Sequence, residues 1–135
     1  GKRVHVDTGS ANNNGFYIEP TIFDQVNPEQ KIACEEIFGP VLSVFTFDDE
    51  QEAIQLANDT RYGLAAYVAT ENIGRAQRLS QEINAGFFMI TGASTLAECY
   101  REIGKEGHRE SGFGAEGGLL GLSSYSVSTA VHQWT

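Results

Sequence analysis

Residues 41–90 read VLSVFTFDDEQEAIQLANDTRYGLAAYVATENIGRAQRLSQEINAGFFMI, a run in which short apolar segments alternate with amphipathic ones. Short apolar segments rich in β-branched, aromatic or small residues predict strands, and the amphipathic segments between them predict helices. The strands are expected at 41–47, 64–69 and 87–90, and the helices at 49–58 and about 71–84. This alternation is typical of an α/β fold, a parallel sheet with flanking helices whose strands are buried on both faces.

Both predicted helices carry boundary signals. Asp48 and Asp49 suit the N-cap and first turn of the first helix. Gly86 follows the end of the second, where glycine commonly terminates a helix. The second helix has apolar residues at three- and four-residue spacing: Ile73, Ala76, Leu79 and Ile83.

The flanking segments have weaker patterns. Residues 1–14 are polar and predict a loop, and residues 16–23 favour a strand that lies at an edge or breaks at Pro20, which lacks an amide donor. Residues 92–121 are rich in glycine and charge, without a period, and predict a long ordered loop. Leu122 to Trp134 alternates like a half-exposed strand, which needs a partner edge.

Composition limits the kind of protein and partner. With 135 residues, 41% of them apolar and 20% charged, the chain suits one folded domain. The net charge of -9 repels phosphate backbones, so no nucleic-acid partner is expected. No apolar run approaches the ~20 residues needed to cross a bilayer, so no membrane partner is expected. The chain opens at Gly1 without an initiator Met, which predicts a fragment or a processed product.

The cysteines and histidines give no metal-ligand spacing, so no metal site is predicted. Cys34 and Cys99 are expected to be free thiols in a reducing compartment, which favours a cytoplasmic protein. Either thiol would need a base to act as a nucleophile, so a structural role is favoured for both. The histidines are His5, His108 and His132.

Two short motifs have a functional and a structural interpretation. Residues 112–117 match G-x-G-x-x-G, but no strand precedes them, so close approach of chain segments is favoured over phosphate binding. Residues 35–41 place two carboxylates before an aromatic ring, a glycine and a proline. One carboxylate there can accept hydrogen bonds from vicinal hydroxyls such as those of a ribose, and the ring can cover an apolar ligand face. On chemistry alone, a solvated pair of acids before a turn is favoured.

Residues 35–41, EEIFGPV, resemble a signature of the NAD(P)-dependent aldehyde dehydrogenases. Four further motifs resemble that family in the same order. They are Gly15 to Thr21 (G-x-x-x-x-P-T), Ala57 to Ala65 (AN-x-x-x-YGLA), Asn84 to Gly86 (NAG), and Ser111 to Gly114 (SG-x-G) with Tyr125 and Val131 of the final strand. The resemblance covers nearly the whole chain.

The resemblance implies that residues 1–121 are the C-terminal part of a catalytic domain and residues 122–135 an oligomerisation strand. The parent enzyme would oxidise an aldehyde to a carboxylic acid through a thiohemiacetal, hydride transfer to NAD or NADP (NAD favoured), and thioester hydrolysis. Glu36 would hold the nicotinamide ribose hydroxyls and Phe38 would pack beside the nicotinamide, while Glu35 is structural. A homo-oligomer would form through Leu122 to Trp134.

No catalytic residue is assigned, because the family's nucleophilic Cys and general-base Glu belong to motifs that this sequence does not contain. The isolated chain is therefore expected to be inactive. The family's P-F-G-G-x-K motif is replaced by residues 104–109, with Lys105 in place of an aromatic wall at the aldehyde entrance. The alternative function is a non-catalytic α/β interaction module that uses its terminal strand for β-augmentation.

Overall fold

A computed structural model describes residues 1–4, 15–91 and 104–134. The chain divides into two compact units, residues 1–60 and 61–135. Each unit contains strands and helices, which confirms the predicted α/β class.

The first unit has a three-stranded sheet in the order β1-β2-β3. β1 is antiparallel to β2, and β2 is parallel to β3. Parallel neighbours need a crossover connection, and the short helix α1 lies within it. The elements are β1 (Lys2–Val4), β2 (Thr21–Asp24), α1 (Lys31–Cys34), β3 (Val41–Ser43) and α2 (Glu50–Asn58).

The second unit is built around a parallel pair of strands, β5 and β6, with helix α3 between them in the chain. Two small antiparallel pairs, β4 with β8 and β7 with β9, complete its described strands. The elements are β4 (Tyr62–Gly63), β5 (Ala65–Ala69), α3 (Ile73–Glu82), β6 (Phe87–Thr91), β7 (Lys105–Glu106), β8 (His108–Arg109), β9 (Ala115–Glu116) and α4 (Gly118–Ser123).

Both long helices lie where the sequence predicts them. Asp49 caps α2, since its carboxylate accepts a hydrogen bond from the Glu52 amide at 2.8 Å. The Glu52 carboxylate in turn accepts from the Asp48 amide at 2.7 Å. Asn72 caps α3 in the same way by accepting from the Arg75 amide at 2.9 Å. These caps satisfy amides that a helix leaves without partners at its N-terminus.

Strand pairing and burial differ from the prediction. The strand at 41–43 pairs with β2, whereas the strand at 65–69 pairs with β6. The three strands predicted for one parallel sheet therefore belong to two separate sheets. Leu42 is 57% exposed and Tyr67 65%, so burial on both faces is wrong for these strands. Among the described residues, the buried apolar side chains are Val26, Ile54, Ala76, Leu79 and Phe87.

The flanking segments also correct the prediction. Residues 2–4 form β1 where a loop was expected, and β2 begins directly after Pro20, as its missing donor requires. Three two-residue strands lie in the expected loop 92–121. The predicted terminal strand cannot begin at Leu122, because α4 includes that residue. Residues 126–134 form no strand, and none of the described strands pairs with them.

Residues 5–14, 92–103 and 135 lie outside the described ranges, so the interpretations of His5 and Cys99 also fall outside them. Within the described ranges, no helix has the length and apolar character needed to cross a membrane.

Candidate site on the turn between α1 and β3

The segment that joins α1 to β3 carries both predicted cofactor-binding residues. α1 ends at Cys34, and Glu35 is its C-cap, with an amide that donates to the Lys31 carbonyl at 3.0 Å. The Lys31 ammonium lies 3.5 Å from the Glu35 carboxylate. Both side chains of this ion pair are well exposed, so it contributes little to stability. Glu35 thus has local partners within α1.

Glu36, the next residue, has none of these partners. Its side chain is exposed and makes no hydrogen bond or ion pair with the described part of the chain. An ionised carboxylate offers about four lone-pair positions, which suits it to accept from two neighbouring hydroxyls. The two adjacent carboxylates therefore differ in their contacts. Glu35 pairs with Lys31 of α1, whereas Glu36 has no partner among the described residues and can accept hydrogen bonds from a ligand.

Phe38 has an unusual backbone. Its φ is +52°, in the left-handed region that costs an L-residue with a β-carbon roughly 1–2 kcal/mol. Its ring is 91% exposed, so burial in this chain does not offset that cost. Such outliers concentrate where a ligand or a switch needs a particular presentation of a side chain. Here the conformation turns the chain immediately before Gly39 and Pro40.

The far end of the turn is fixed by backbone hydrogen bonds. The Thr21 amide donates to the Pro40 carbonyl at 2.8 Å, and the Val41 amide donates to the Gly39 carbonyl at 2.8 Å. Thr21 is itself buried, and its hydroxyl donates to the Glu19 carbonyl at 2.9 Å. The Ser43 hydroxyl, from β3, donates to the Ile32 carbonyl in α1 at 3.0 Å. The turn is therefore held at both ends while its middle faces solvent.

This arrangement fits the recognition of a sugar with vicinal hydroxyls beside a flat ring. The Glu36 carboxylate, which has no partner among the described residues, lies two positions from an exposed aromatic side chain on backbone whose ends are fixed. The binding groups are one carboxylate and one aromatic ring. This combination suits a nucleoside, whereas a hard metal ion needs several oxygen ligands. Within the described ranges no group of three His, Cys, Asp or Glu residues is arranged to hold a metal.

Cys34, at the end of α1, is an exposed free thiol. Its Sγ donates to the Pro28 carbonyl at 3.1 Å, and a backbone carbonyl is not a base that would form the thiolate. None of the described residues at this thiol supports a nucleophilic role.

The glycines of the G-x-G-x-x-G match serve backbone conformation. Gly112, Gly114 and Gly117 have φ values of +123°, +83° and +81°, which side chains with a β-carbon rarely adopt. A β-carbon at Gly112 or Gly114 would have no neighbour within 4 Å, so close approach of chain segments does not explain these two. The following helix, α4, has six residues and does not provide a dinucleotide-binding terminus.

The second unit has a groove of about 520 Å³, which includes Tyr67, Phe87, Lys105, Ser111 and Phe113 in its lining. The Lys105 ammonium lies 5.5 Å from the centre of the Phe87 ring, within cation–π range. Its strand neighbour across β7 and β9 is Glu116, so a cation and an anion both line the groove.

The family model described as the aldehyde dehydrogenase family matches residues 1–131 of this sequence. The chain belongs to the aldehyde dehydrogenase family. The match confirms the resemblance first seen in residues 35–41 and includes both units.

Solved structures agree with this aldehyde dehydrogenase assignment. Betaine aldehyde dehydrogenase from Staphylococcus aureus in complex with NAD+ is 39% identical, with a TM-score of 0.74, over 84% of this chain and 22% of that one. An NAD-dependent aldehyde dehydrogenase from Sinorhizobium meliloti is 36% identical, with a TM-score of 0.79, over 92% of this chain and 24% of that one. A mutant of aldehyde dehydrogenase C from Pseudomonas syringae, in complex with NAD+ and octanal, is 38% identical, with a TM-score of 0.74, over 82% of this chain and 22% of that one. The chain spans less than a quarter of each of these three structures.

The sequence indicates Glu36 and Phe38 but not the residues that hold their turn. Ser43 and Thr21 act through long-range hydrogen bonds, and neither bond has a sequence signal of its own. The only sequence feature that draws attention to Thr21 is its place after Pro20 in the G-x-x-x-x-P-T motif.

Proposed function

We propose that this chain is the C-terminal part of an enzyme that oxidises an aldehyde to a carboxylic acid with NAD(P), and that it orients the nicotinamide ribose. The observation that carries the proposal is the exposed Glu36 carboxylate, without a partner in the described ranges, on a turn held at both ends. NAD is favoured over NADP, because relatives that resemble this chain are NAD+ complexes.

In this role, Glu36 accepts hydrogen bonds from the ribose hydroxyls and fixes the orientation of the attached ring. The Phe38 ring packs beside the nicotinamide and excludes water from it. When bound, NAD(P)+ would supply a hydride acceptor, so that an aldehyde and water would give the carboxylic acid, NAD(P)H and a proton. No residue of this chain attacks the aldehyde, so the nucleophile and the general base come from other parts of the parent enzyme.

The proposal also gives residues 122–134 a role in forming a homo-oligomer. Tyr125, Val127, Val131 and Trp134 are exposed in this chain, and residues 126–134 pair with no strand among the described residues. A partner subunit that covers these side chains would remove apolar surface from water. The exposed free thiol of Cys34 suits the reducing cytoplasm, where we place the enzyme.

The same unpaired segment supports the second candidate, a non-catalytic module that adds its terminal strand to the sheet of a partner. The two candidates differ in the activity of the full-length protein. Purified full-length protein is incubated with short aliphatic, long aliphatic and aromatic aldehydes, each with NAD or NADP, and reduced nicotinamide is followed by absorbance. The proposal predicts turnover with a higher kcat/KM for NAD. No turnover with any pair would contradict it and leave the interaction module.

A further inference from the structure

Ser43 makes a hydrogen bond that joins the two elements on either side of the Glu36 turn. Its hydroxyl, half-buried on β3, donates to the carbonyl of Ile32 in α1 at 3.0 Å. The two residues are eleven positions apart, and the whole turn lies between them. This side-chain bond therefore closes the segment that carries Glu36 and Phe38.

The Ile32 carbonyl is available because α1 ends early. In this helix of four residues, the Gln30 carbonyl accepts from the amides of Ala33 and Cys34, and the Lys31 carbonyl accepts from Glu35. The next bond of the series would run from the Glu36 amide to Ile32, but the chain is already extended at Glu35, with φ -113° and ψ 144°. Ser43 thus supplies the partner that a longer helix would have supplied.

The sheet fixes the backbone of Ser43 independently of its hydroxyl. Ser43 is the register partner of Phe23 in the parallel pair of β2 and β3. The next amide, of Val44, donates to the Phe23 carbonyl at 2.8 Å. The hydroxyl therefore links a position fixed by the sheet to Ile32 of α1, four residues before Glu36.

We propose that Ser43 is a positioning residue for the Glu36 carboxylate, and that its hydroxyl sets the orientation in which Glu36 meets the ribose hydroxyls. This inference rests on the proposed function of Glu36. Without the Ser43 hydroxyl, the Ile32 carbonyl loses its partner and α1 moves more freely against β3. Cofactor affinity changes little, because most contacts of a dinucleotide lie elsewhere, whereas the rate depends on correct orientation.

The test compares Ser43→Thr with Ser43→Val in the full-length enzyme. Thr keeps the hydroxyl and Val replaces it with a methyl group of similar shape, and both residues favour strands. Ser43→Ala is a second variant without the hydroxyl, in case the extra methyl groups of Val disturb folding. Three quantities are measured: the single-turnover rate of hydride transfer, the dissociation constant of NAD+, and amide hydrogen exchange in peptides that cover residues 31–40.

Ser43→Val and Ser43→Ala are expected to slow hydride transfer by about threefold to tenfold, the range that one neutral hydrogen bond supports. NAD+ affinity stays within about twofold, and exchange in residues 31–40 becomes faster, while Ser43→Thr keeps wild-type values. In a Glu36→Gln background, Ser43→Val should cause no further loss of rate, because there is no carboxylate left to position.

Two failures are distinguishable. If Glu36→Gln slows hydride transfer but Ser43→Val and Ser43→Ala do not, the positioning role of Ser43 is overturned and the proposed function stands. If Glu36→Gln itself leaves the rate at the wild-type value, the proposed function fails and the role of Ser43 fails with it. An equal loss from Ser43→Val in the Glu36→Gln background also overturns the positioning role, since it shows an effect independent of the carboxylate.

Discussion

The amide of Thr21 donates to the carbonyl of Pro40 at 2.8 Å, so β2 begins at the point where the turn from α1 ends. This bond joins two of the motifs that identify the family, the P-T pair at 20–21 and the G-P pair at 39–40. Each proline lacks an amide donor but keeps its carbonyl, and the bond uses the carbonyl of the second. The two motifs therefore meet at the end of the turn that carries Glu36.

The left-handed backbone at Phe38 predicts that Gly and Ala substitutions differ in stability but not in activity. Phe38→Gly removes the cost of a β-carbon at φ +52°, whereas Phe38→Ala keeps that cost, and both remove the ring. In the full-length protein, the Gly variant should be about 1 kcal/mol more stable than the Ala variant by denaturant unfolding. Both should slow hydride transfer equally. An Ala variant that is as stable as the Gly variant would show that the backbone at Phe38 is not strained.

Gly86, in the NAG motif, should tolerate no side chain. A β-carbon there would overlap the Glu106 carbonyl oxygen and lie 3.2 Å from the His108 ring. Gly86→Ala is expected to destabilise the protein by more than about 2 kcal/mol, since backbone would have to move. Gly74→Ala, within α3, is the control and should be neutral or stabilising by up to about 1 kcal/mol. Equal midpoints of urea unfolding for both variants would contradict the close approach at Gly86.

The isolated 135-residue chain should show no dehydrogenase activity. It provides groups that position a cofactor but no assigned nucleophile for a covalent intermediate. The chain is incubated with NAD+ and several aldehydes, before and after alkylation of its thiols, and reduced nicotinamide is followed by absorbance. Turnover that disappears on alkylation and also in Cys34→Ser would show that Cys34 is a nucleophile.

The terminal segment should control association of the full-length protein. Deletion of residues 124–135 would remove the exposed side chains of Tyr125, Val127, Val131 and Trp134. We expect the mass in solution, measured by sedimentation or light scattering, to fall to that of a smaller assembly. If the oligomer is unchanged, the segment docks within its own chain and its role in the interface must be abandoned.

Local signals in the sequence predicted much of this fold. Asp49 was predicted at the start of α2 and is its N-cap, and the amphipathic pattern located α3 to within two residues at each end, although its cap, Asn72, was not predicted. The parallel pairing of β5 and β6 follows from a helix between two apolar runs. This pattern can be recognised from one continuous stretch of sequence. The Glu36 turn was also indicated, because Pro40 restricts the backbone at its own position and at Gly39, directly before a strand.

Long-range pairing had no such signal. β4 and β8 are two residues long, too short for alternation to be visible, and their register joins Tyr62 to Arg109 across 47 positions. β1 pairs with β2 through a polar, exposed segment that resembles a loop in composition. The positive φ at Phe38 was not predicted, because glycine or asparagine is the usual indication of that conformation.

The most direct test of the central claim is single-turnover hydride transfer in Glu36→Gln of the full-length enzyme, measured together with NAD+ affinity. Glu35→Gln is the matched control, since its carboxylate pairs with Lys31 on the same exposed turn. If Glu36 orients the nicotinamide ribose, the rate should be about tenfold to a hundredfold lower in Glu36→Gln, NAD+ affinity should stay within about threefold of wild type, and both values should be unchanged in Glu35→Gln. Wild-type rate and affinity in Glu36→Gln would instead make Glu36 an ordinary surface acid.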